Sequence, residues 1–392
     1  MRFFEKYIND NIEKLKNDNL YRQIEYINSP QDSYVTVEGK KLLLLSSNNY
    51  MGLCNDERIK NYAIKAIKKF GCGSGGSRIT TGSHRLYKEL EDSLAEFKEK
   101  ESALVFNTGY MANIGVITSI ADGQWVIFSD ELNHASIIDG CRLSKAKVII
   151  YKHSNIKDLK EKIKTHSGDK NIIITDGVFS MDGDIAPLRE ISDIAKEHGK
   201  IITIVDDAHG TGVLGENGRG TLECLGLEED IDIQIGTLSK ALGGEGGFVV
   251  GSKNLIRYLK NKSRSFIYTT ALSPSSVSTS LKSIEIITQQ NEERKELLRK
   301  SKWFKESLKI LGFNVVDSQT PIIPIIVGAS NKALEFSEEL FKAGIFVQAI
   351  RPPTVKENTS RLRITIMATH TMEDLKFAIK TLEEVGRKTQ VL

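Results

Sequence analysis

Two hydrophobic rhythms alternate along the middle of the chain. Helical patterns at 55–69 and 86–99 lead into short, continuous apolar runs at 103–106, 125–129, 147–151, 171–175, 201–205, 232–235 and 247–250. Helix-spaced segments fit between most of them, at 111–120, 134–140, 157–165 and 188–198. Strands apolar on both faces and separated by helices predict a mostly parallel, seven-stranded sheet covered on both sides. Before it, Phe3, Phe4, Tyr7, Ile8 and Ile12 mark an amphipathic helix within the first 25 or so residues. A strand pair follows at 34–37 and 41–45, with Glu38-Gly39 as its turn. After Pro274 the texture becomes a long charged helical region reaching about residue 311. Strands at 321–327, 345–349 and 362–366, with helices at 331–342 and 372–385, complete a smaller α+β domain. The expected organisation is an amino-terminal helix and strand segment (1–50), a large α/β domain (51–285) and a carboxy-terminal α+β domain (286–392).

Composition narrows the function classes. The 392 residues carry 54 Lys+Arg against 51 Asp+Glu, a net charge of +3, so the whole molecule supplies no strong field for nucleic acid. Cys54, Cys72, Cys141 and Cys224 share no CxxC spacing and read as reduced thiols, not as a disulfide frame or zinc ribbon. The charged first residues lack the pattern of a signal peptide, and no apolar run approaches the ~20 residues of a membrane span. The expected compartment is the cytoplasm.

Several segments carry candidate chemistry. Gly71-Cys-Gly73-Ser-Gly75-Gly76 satisfies G-x-G-x-x-G, but a dinucleotide site needs a strand before it, and the preceding NYAIKAIKKF is helical. A loop lining a site is the better reading. The run at 201–205 ends in Asp206-Asp207-Ala208-His209, where a parallel sheet presents its ligand crevice. A carboxylate there can hold a proton on a heterocyclic nitrogen; a metal pair or a simple Asx turn are the rival readings. The next run feeds Thr237-Leu238-Ser239-Lys240 and a glycine cluster, placing one amine in an open loop. Such lysines form Schiff bases with carbonyl compounds. Pyridoxal phosphate requires that amine and a carboxylate opposite its pyridine nitrogen, roles open to Lys240 and Asp206. Asn107-Thr108-Gly109-Tyr110 joins a strand to a helix and offers N–H groups to a phosphate, unless it is an ordinary turn. His134 opens another helix, either stacking on a flat ligand or capping. Arg361 and Arg363 alternate into a strand and serve either a substrate carboxylate or salt bridges.

Taken together, SSNNYMGL, GSGGSRITTG, FNTGYMAN, LNHASIIDG, TDGVFSMDGD, VDDAHGTGVLGENGRG, GTLSKALGGEGG and SRLRITIMATHT resemble, in their order, the α-oxoamine synthases. These are a branch of the fold-type I pyridoxal-phosphate enzymes, and the likeness runs from about residue 45 to 370. It implies the α/β fold of that class, a large domain with a mostly parallel seven-stranded sheet plus a smaller carboxy-terminal domain. It also implies a pyridoxal 5'-phosphate cofactor and a homodimer with shared active sites. Lys240 would then carry the cofactor and act on the α-proton, and Asp206 would face the pyridine nitrogen. His209 would lie near the phenolic oxygen, His134 on the ring face and Ser180 near the ring oxygen. Thr108, Gly109, Tyr110, Thr237 and Ser239 would line the phosphate and ring end. Thr269, or its neighbour Thr270, would reach the phosphate from the second subunit. Arg363 would hold the amino-acid carboxylate, with Arg22 or Asn49 shaping the substrate end; no metal enters.

Within the family, AIRPPTV and TPIIPIIVG favour the branch that condenses L-alanine with a pimeloyl thioester, carried by coenzyme A or acyl-carrier protein, in biotin biosynthesis. LNHASIIDGCRLSKAK is shared with the branch joining glycine to acetyl-CoA. A broader amino-ketone synthase and a non-enzymatic binder of the same fold are the remaining readings. Ser273 stands where relatives often have a second proline, and Arg78 and His84 receive no role.

Overall fold

Residues 2–392 are described by a computed structural model. Seven strands form one sheet: β1 (Ser102–Phe106), β2 (Val126–Asp130), β3 (Lys147–Tyr151), β4 (Asn171–Asp176), β5 (Ile201–Asp206), β6 (Ile233–Thr237) and β7 (Gly247–Gly251). Their spatial order is β1-β7-β6-β5-β4-β2-β3. Only β7 is antiparallel to its neighbours, so β1 and the other five strands all end at one edge of the sheet. This is the expected fold class, with strand ends within two residues of the expected ones.

The continuous apolar runs follow from burial on both faces. In β4, Ile172 and Ile174 pack with Ile204, Ile235, Val116 and Ile137, while Ile173 joins Phe128, Val205, Leu159, Leu188 and Ile191 on the other face. Side chains alternate across a strand, so a sheet covered twice needs an apolar residue at every position. The helices Gly109–Ile120, Ala135–Ser144, Ile156–His166 and Leu188–His198 occupy the expected intervals.

The chain divides into two compact units, residues 48–180 with 184–296, and residues 1–47 with 181–183 and 297–392. In the second, Tyr34–Val37 and Lys40–Leu44 pair antiparallel through a turn at Glu38 (φ 49°) and Gly39 (φ 75°). Two successive positive φ values fit the right-handed twist of the flanking strands. Ile345–Phe346 then adds to Leu43 and Leu44 in parallel. Val35, Val37, Leu42, Leu44, Phe346 and Met367 form a shared cluster, so the amino-terminal strands need carboxy-terminal residues to cover them.

Three expected elements differ. The single strand expected at 345–349 is two short ones, because Ile345–Phe346 and Ala349–Ile350 belong to different sheets and the chain turns between them. The charged helical region after Pro274 breaks after Ile287 into Pro274–Ile287 and Asn291–Leu311. The first helix ends at Asn17, with Asn19 in the left-handed region (φ 55°), short of the 25 residues its pattern suggested. No helix among the described residues is long and apolar enough to cross a membrane.

His370 fastens the second unit. Its Nδ1 accepts from the Met367 N–H at 3.1 Å, which leaves Nε2 to donate to the Leu44 carbonyl at 3.0 Å. Burial pushes this imidazole down to about 4. The unfolded chain therefore binds a proton that the folded chain refuses, and stability contributed above pH 6.5 is lost as the pH falls toward 4. We expect stability to drop by up to ~1.4 kcal/mol per pH unit across that window from this group alone. Urea unfolding of His370→Asn against the native chain checks it: the native slope is the steeper of the two.

Candidate active site

Because β1, β2, β4, β5 and β6 end on one edge, the loops after them converge. Asp176 and Asp206, the last residues of β4 and β5, stand side by side as Cα partners, with Asp206 paired in turn to Ile235 of β6. They open onto a cavity of about 210 Å³ whose wall includes Thr108, Gly109, Tyr110, His134, Ser180, Asp206, His209, Thr237, Ser239 and Lys240. The structure thus gathers into one place residues scattered over 133 positions of sequence, from Thr108 to Lys240.

Asp206 is 6% exposed and is held by two donors. Asn113 Nδ2 reaches its Oδ2 at 2.6 Å and the Ala208 N–H its Oδ1 at 3.0 Å. The orientation of the Asn113 amide is fixed by this contact, since only its NH₂ end can face a carboxylate. Its Oδ1 is left buried with no protein partner, in a residue that lines the cavity. Beside it, Asp176 is buried and accepts the His134 N–H at 2.7 Å. Burial, reinforced by the charge on Asp206, holds the Asp176 carboxyl well above the usual carboxylate range.

Lys240 faces a relay of polar groups. Its Nζ lies 2.8 Å from His209 Nε2, His209 Nδ1 lies 2.7 Å from the Tyr50 hydroxyl, and that hydroxyl donates to Asn48 Oδ1 at 3.2 Å. The Tyr50 hydroxyl gives its one hydrogen to Asn48, so it accepts from His209 Nδ1, and Nε2 is left to accept from Lys240. The imidazole of His134, at the start of Ala135–Ser144, pairs with Ser136 through Nδ1 at 2.7 Å. Burial pulls its pKa down, with the Asp206 charge opposing and Lys240 assisting.

At the other end of the cavity the helix Gly109–Ile120 begins, its first turn capped by Thr108 Oγ1, which accepts from the Met111 N–H at 3.0 Å. Thr237 and Ser239 hydroxyls meet at 2.7 Å. Gly247 is needed here because a Cβ would come within 2.5 Å of the Thr108 carbonyl. Backbone donors at a helix start and two hydroxyls suit a phosphate; a buried carboxylate and an orphan acceptor suit a protonated ring, and an amine suits an aldehyde. The donor set fits pyridoxal phosphate.

Thr269 and Thr270 do not line the cavity; the Thr270 carbonyl accepts from Asn107 Nδ2 at 2.6 Å. Asn49 is buried and accepts the Cys54 N–H at 3.2 Å. Arg22 is exposed and reaches the Pro352 carbonyl at 3.4 Å. Arg363, on the strand Ser360–Thr365, is buried opposite Pro324. Arg361 takes the salt-bridge alternative, pairing with Asp182 at 2.5 Å. The metal-pair reading fails on geometry, because the Asp207 carboxylate is turned to Lys98, Thr221 and Gln234. The segment before Gly71 is the helix Glu57–Phe70, which removes the dinucleotide reading. Arg78 stacks on Tyr87 at 3.7 Å and pairs with Glu91, and His84 packs on Phe70.

Asp176, Asn113, Ser136 and Tyr50 were missed. Asp176 alone had a readable signal, being an acidic strand end like Asp206. Asn113 and Tyr50 act through partners 93 and 159 positions away.

The family model for aminotransferases of class I and II matches residues 40–382. The 8-amino-7-oxononanoate synthase of Lysinibacillus sphaericus is 48% identical, over 97% of this chain and 98% of that protein. Among solved structures, serine palmitoyltransferase of Sphingomonas wittichii superposes with a TM-score of 0.94 at 32% identity, covering 100% of this chain and 99% of that one. The 8-amino-7-oxononanoate synthase of Francisella tularensis gives 0.75 at 28% identity, covering 88% and 98%.

If Asn113 is what orients Asp206, Asn113→Ala should cost about 1.5–3 kcal/mol, the value of a buried hydrogen bond to a charged group. Urea unfolding measures it; a loss under half a kcal/mol contradicts the assignment.

Proposed function

We propose a function from one established fact: this chain belongs to the α-oxoamine synthase family of fold-type I pyridoxal-phosphate enzymes, and is a pyridoxal-phosphate-dependent acyltransferase. Its activity is of the 8-amino-7-oxononanoate synthase kind. The reaction we assign joins L-alanine to a pimeloyl thioester, releasing carbon dioxide and the thiol carrier and leaving 8-amino-7-oxononanoate. The observation that carries it is the placement of one amine and one buried carboxylate in the same cavity, in a chain 48% identical to such a synthase.

When bound, pyridoxal phosphate supplies a carbonyl carbon that condenses with primary amines and a ring that accepts the electron pair released at the amino-acid α-carbon. The residues of this chain do the rest. Lys240 holds the cofactor and moves the α-proton, with His209 Nε2 as the neighbour able to share a proton with it. Asp206, kept in place by Asn113, holds a proton on the ring nitrogen. His134, whose pKa burial pulls down, offers a flat face to stack. The start of Gly109–Ile120, with Thr108, Thr237 and Ser239, binds the phosphate. Tyr110, whose hydroxyl donates to Asp139, and Ser180 complete the ring end. Arg363 pairs with the amino-acid carboxylate, with Arg22 and Asn49 at the substrate end. Thr269 or Thr270 of the partner subunit completes the phosphate site in a cytoplasmic homodimer.

Serine palmitoyltransferases share this backbone closely, so the fold does not choose the substrate pair. Steady-state rates with alanine and pimeloyl-CoA, glycine and acetyl-CoA, and serine and palmitoyl-CoA decide among them. We expect the first pair to lead; a lead for either of the others overturns the assignment. Asp206→Ala should keep the visible absorbance of the bound cofactor while kcat falls about 10²–10³-fold, the scale of losing one preorganised charge at a reacting centre. A kcat within threefold of native contradicts its role.

A further inference from the structure

Beside the cavity, a charged cluster is built around one imidazole that the reaction does not use. His153 lies two residues beyond β3, at the same sheet edge as the cavity. Its Nδ1 is 3.1 Å from Asp130 Oδ1 and its Nε2 is 3.1 Å from Asp184 Oδ2. Each carboxylate takes a hydrogen from the ring, so both nitrogens are protonated and the ring is a cation. Burial opposes that charge, but the hydrogen bonds to Asp130 and Asp184 prevail and raise the imidazolium to about 10. Asp130 is almost fully enclosed, its side chain 1% exposed, which removes the solvent screening that makes most surface pairs weak.

The two carboxylates belong to different elements. Asp130 ends β2, where it also accepts the Leu132 and Ser154 N–H groups at 2.9 and 2.8 Å. Asp184 lies on the returning limb of the loop 177–186. That loop is zipped at its base: Gly177 N–H donates to the Asp206 carbonyl, Phe179 N–H to the Asp184 carbonyl and Ala186 N–H to the Gly177 carbonyl, at 2.7, 3.0 and 3.0 Å. Phe179 sits edge-on against the His153 ring, with centroids 4.4 Å apart at 86°. Ser180 follows directly and lines the cavity. His153 therefore grips the loop at two points either side of Ser180, and ties both to the end of β2. Without the imidazolium, two carboxylates would face each other across the vacated space and repel.

We propose that His153 is a positioning residue, bridging Asp130 and Asp184 and seating Phe179 so that the 177–186 loop keeps Ser180 in the wall of the cofactor cavity. Its effect on turnover rests on the reading of the cavity given above; its effect on the loop does not.

The test uses the full-length, cofactor-loaded protein and two variants. His153→Phe keeps a flat ring but removes both hydrogen bonds, and His153→Gln can still donate to one carboxylate. Amide hydrogen exchange followed by peptide mass analysis should show faster exchange at Gly177 and Phe179 in His153→Phe. In the same variant kcat should fall about tenfold with KM for alanine unchanged, a loss below the ~10²-fold of a full 1 Å misplacement. His153→Gln should recover part of both effects, which also keeps the test decisive if the phenylalanine variant does not fold. Native exchange in the loop overturns the proposal, and so does faster exchange with native kcat. A lower melting temperature with native exchange and kcat reveals a merely structural contact and overturns it as well. If the native protein shows no visible cofactor absorbance, the cavity reading fails, while the exchange measurement still decides the clamp.

Discussion

The short, buried hydrogen bond between Asn113 and Asp206, 2.6 Å long, is the contact on which the site turns. A carboxylate at the end of a buried strand is costly unless donors face it. Asn113 comes from the helix Gly109–Ile120, whose start forms the opposite end of the cavity, the one proposed to bind the phosphate. In the proposed function one helix thus both fixes the carboxylate meant for the ring nitrogen, through Asn113, and offers its own amino terminus to the other end of the ligand. The distance between those two functions is set by helix geometry, not by flexible loops.

The parallel sheet supplies the second constraint. With β4, β5 and β6 in register, Asp176, Asp206 and the Thr237–Lys240 loop leave the sheet together. Two adjacent carboxyl groups in such a site cannot both ionise cheaply; burial and the neighbouring carboxylate raise the Asp176 carboxyl, while Asp206 has two donors facing it. Lys240, across the cavity wall, meets His209, and Tyr50 fixes the tautomer that lets His209 accept. Other buried charges are spent on the loops themselves: Lys98 bonds the Asp207 carboxylate, the Thr211 hydroxyl and the Arg219 carbonyl.

The strands and most helices of the large unit were legible because burial on both faces leaves continuous apolar runs, and because strand ends with Asp206 and Lys240 break that pattern abruptly. The cavity wall was legible for the same reason: nearly all its residues lie just past a strand. What could not be read were contacts with no local signature. Tyr50 and Asn113 act on His209 and Asp206 across long stretches of chain, and neither type is unusual at its position. The corner between Ile345–Phe346 and Ala349–Ile350 was hidden because two short strands in one apolar run look like a single strand until their sheets are known. The pairing of the amino-terminal strands with Ile345–Phe346 likewise depends on a partner some 300 residues away.

In the proposed function the amine of Lys240 is the group that condenses with the cofactor aldehyde, opposite Asp206. Borohydride reduction of the loaded protein, followed by digestion and mass analysis, reads this directly. The added mass is expected on the peptide containing Lys240 and is expected to be lost in Lys240→Ala. A label on another lysine, or none at saturating pyridoxal phosphate, would contradict it.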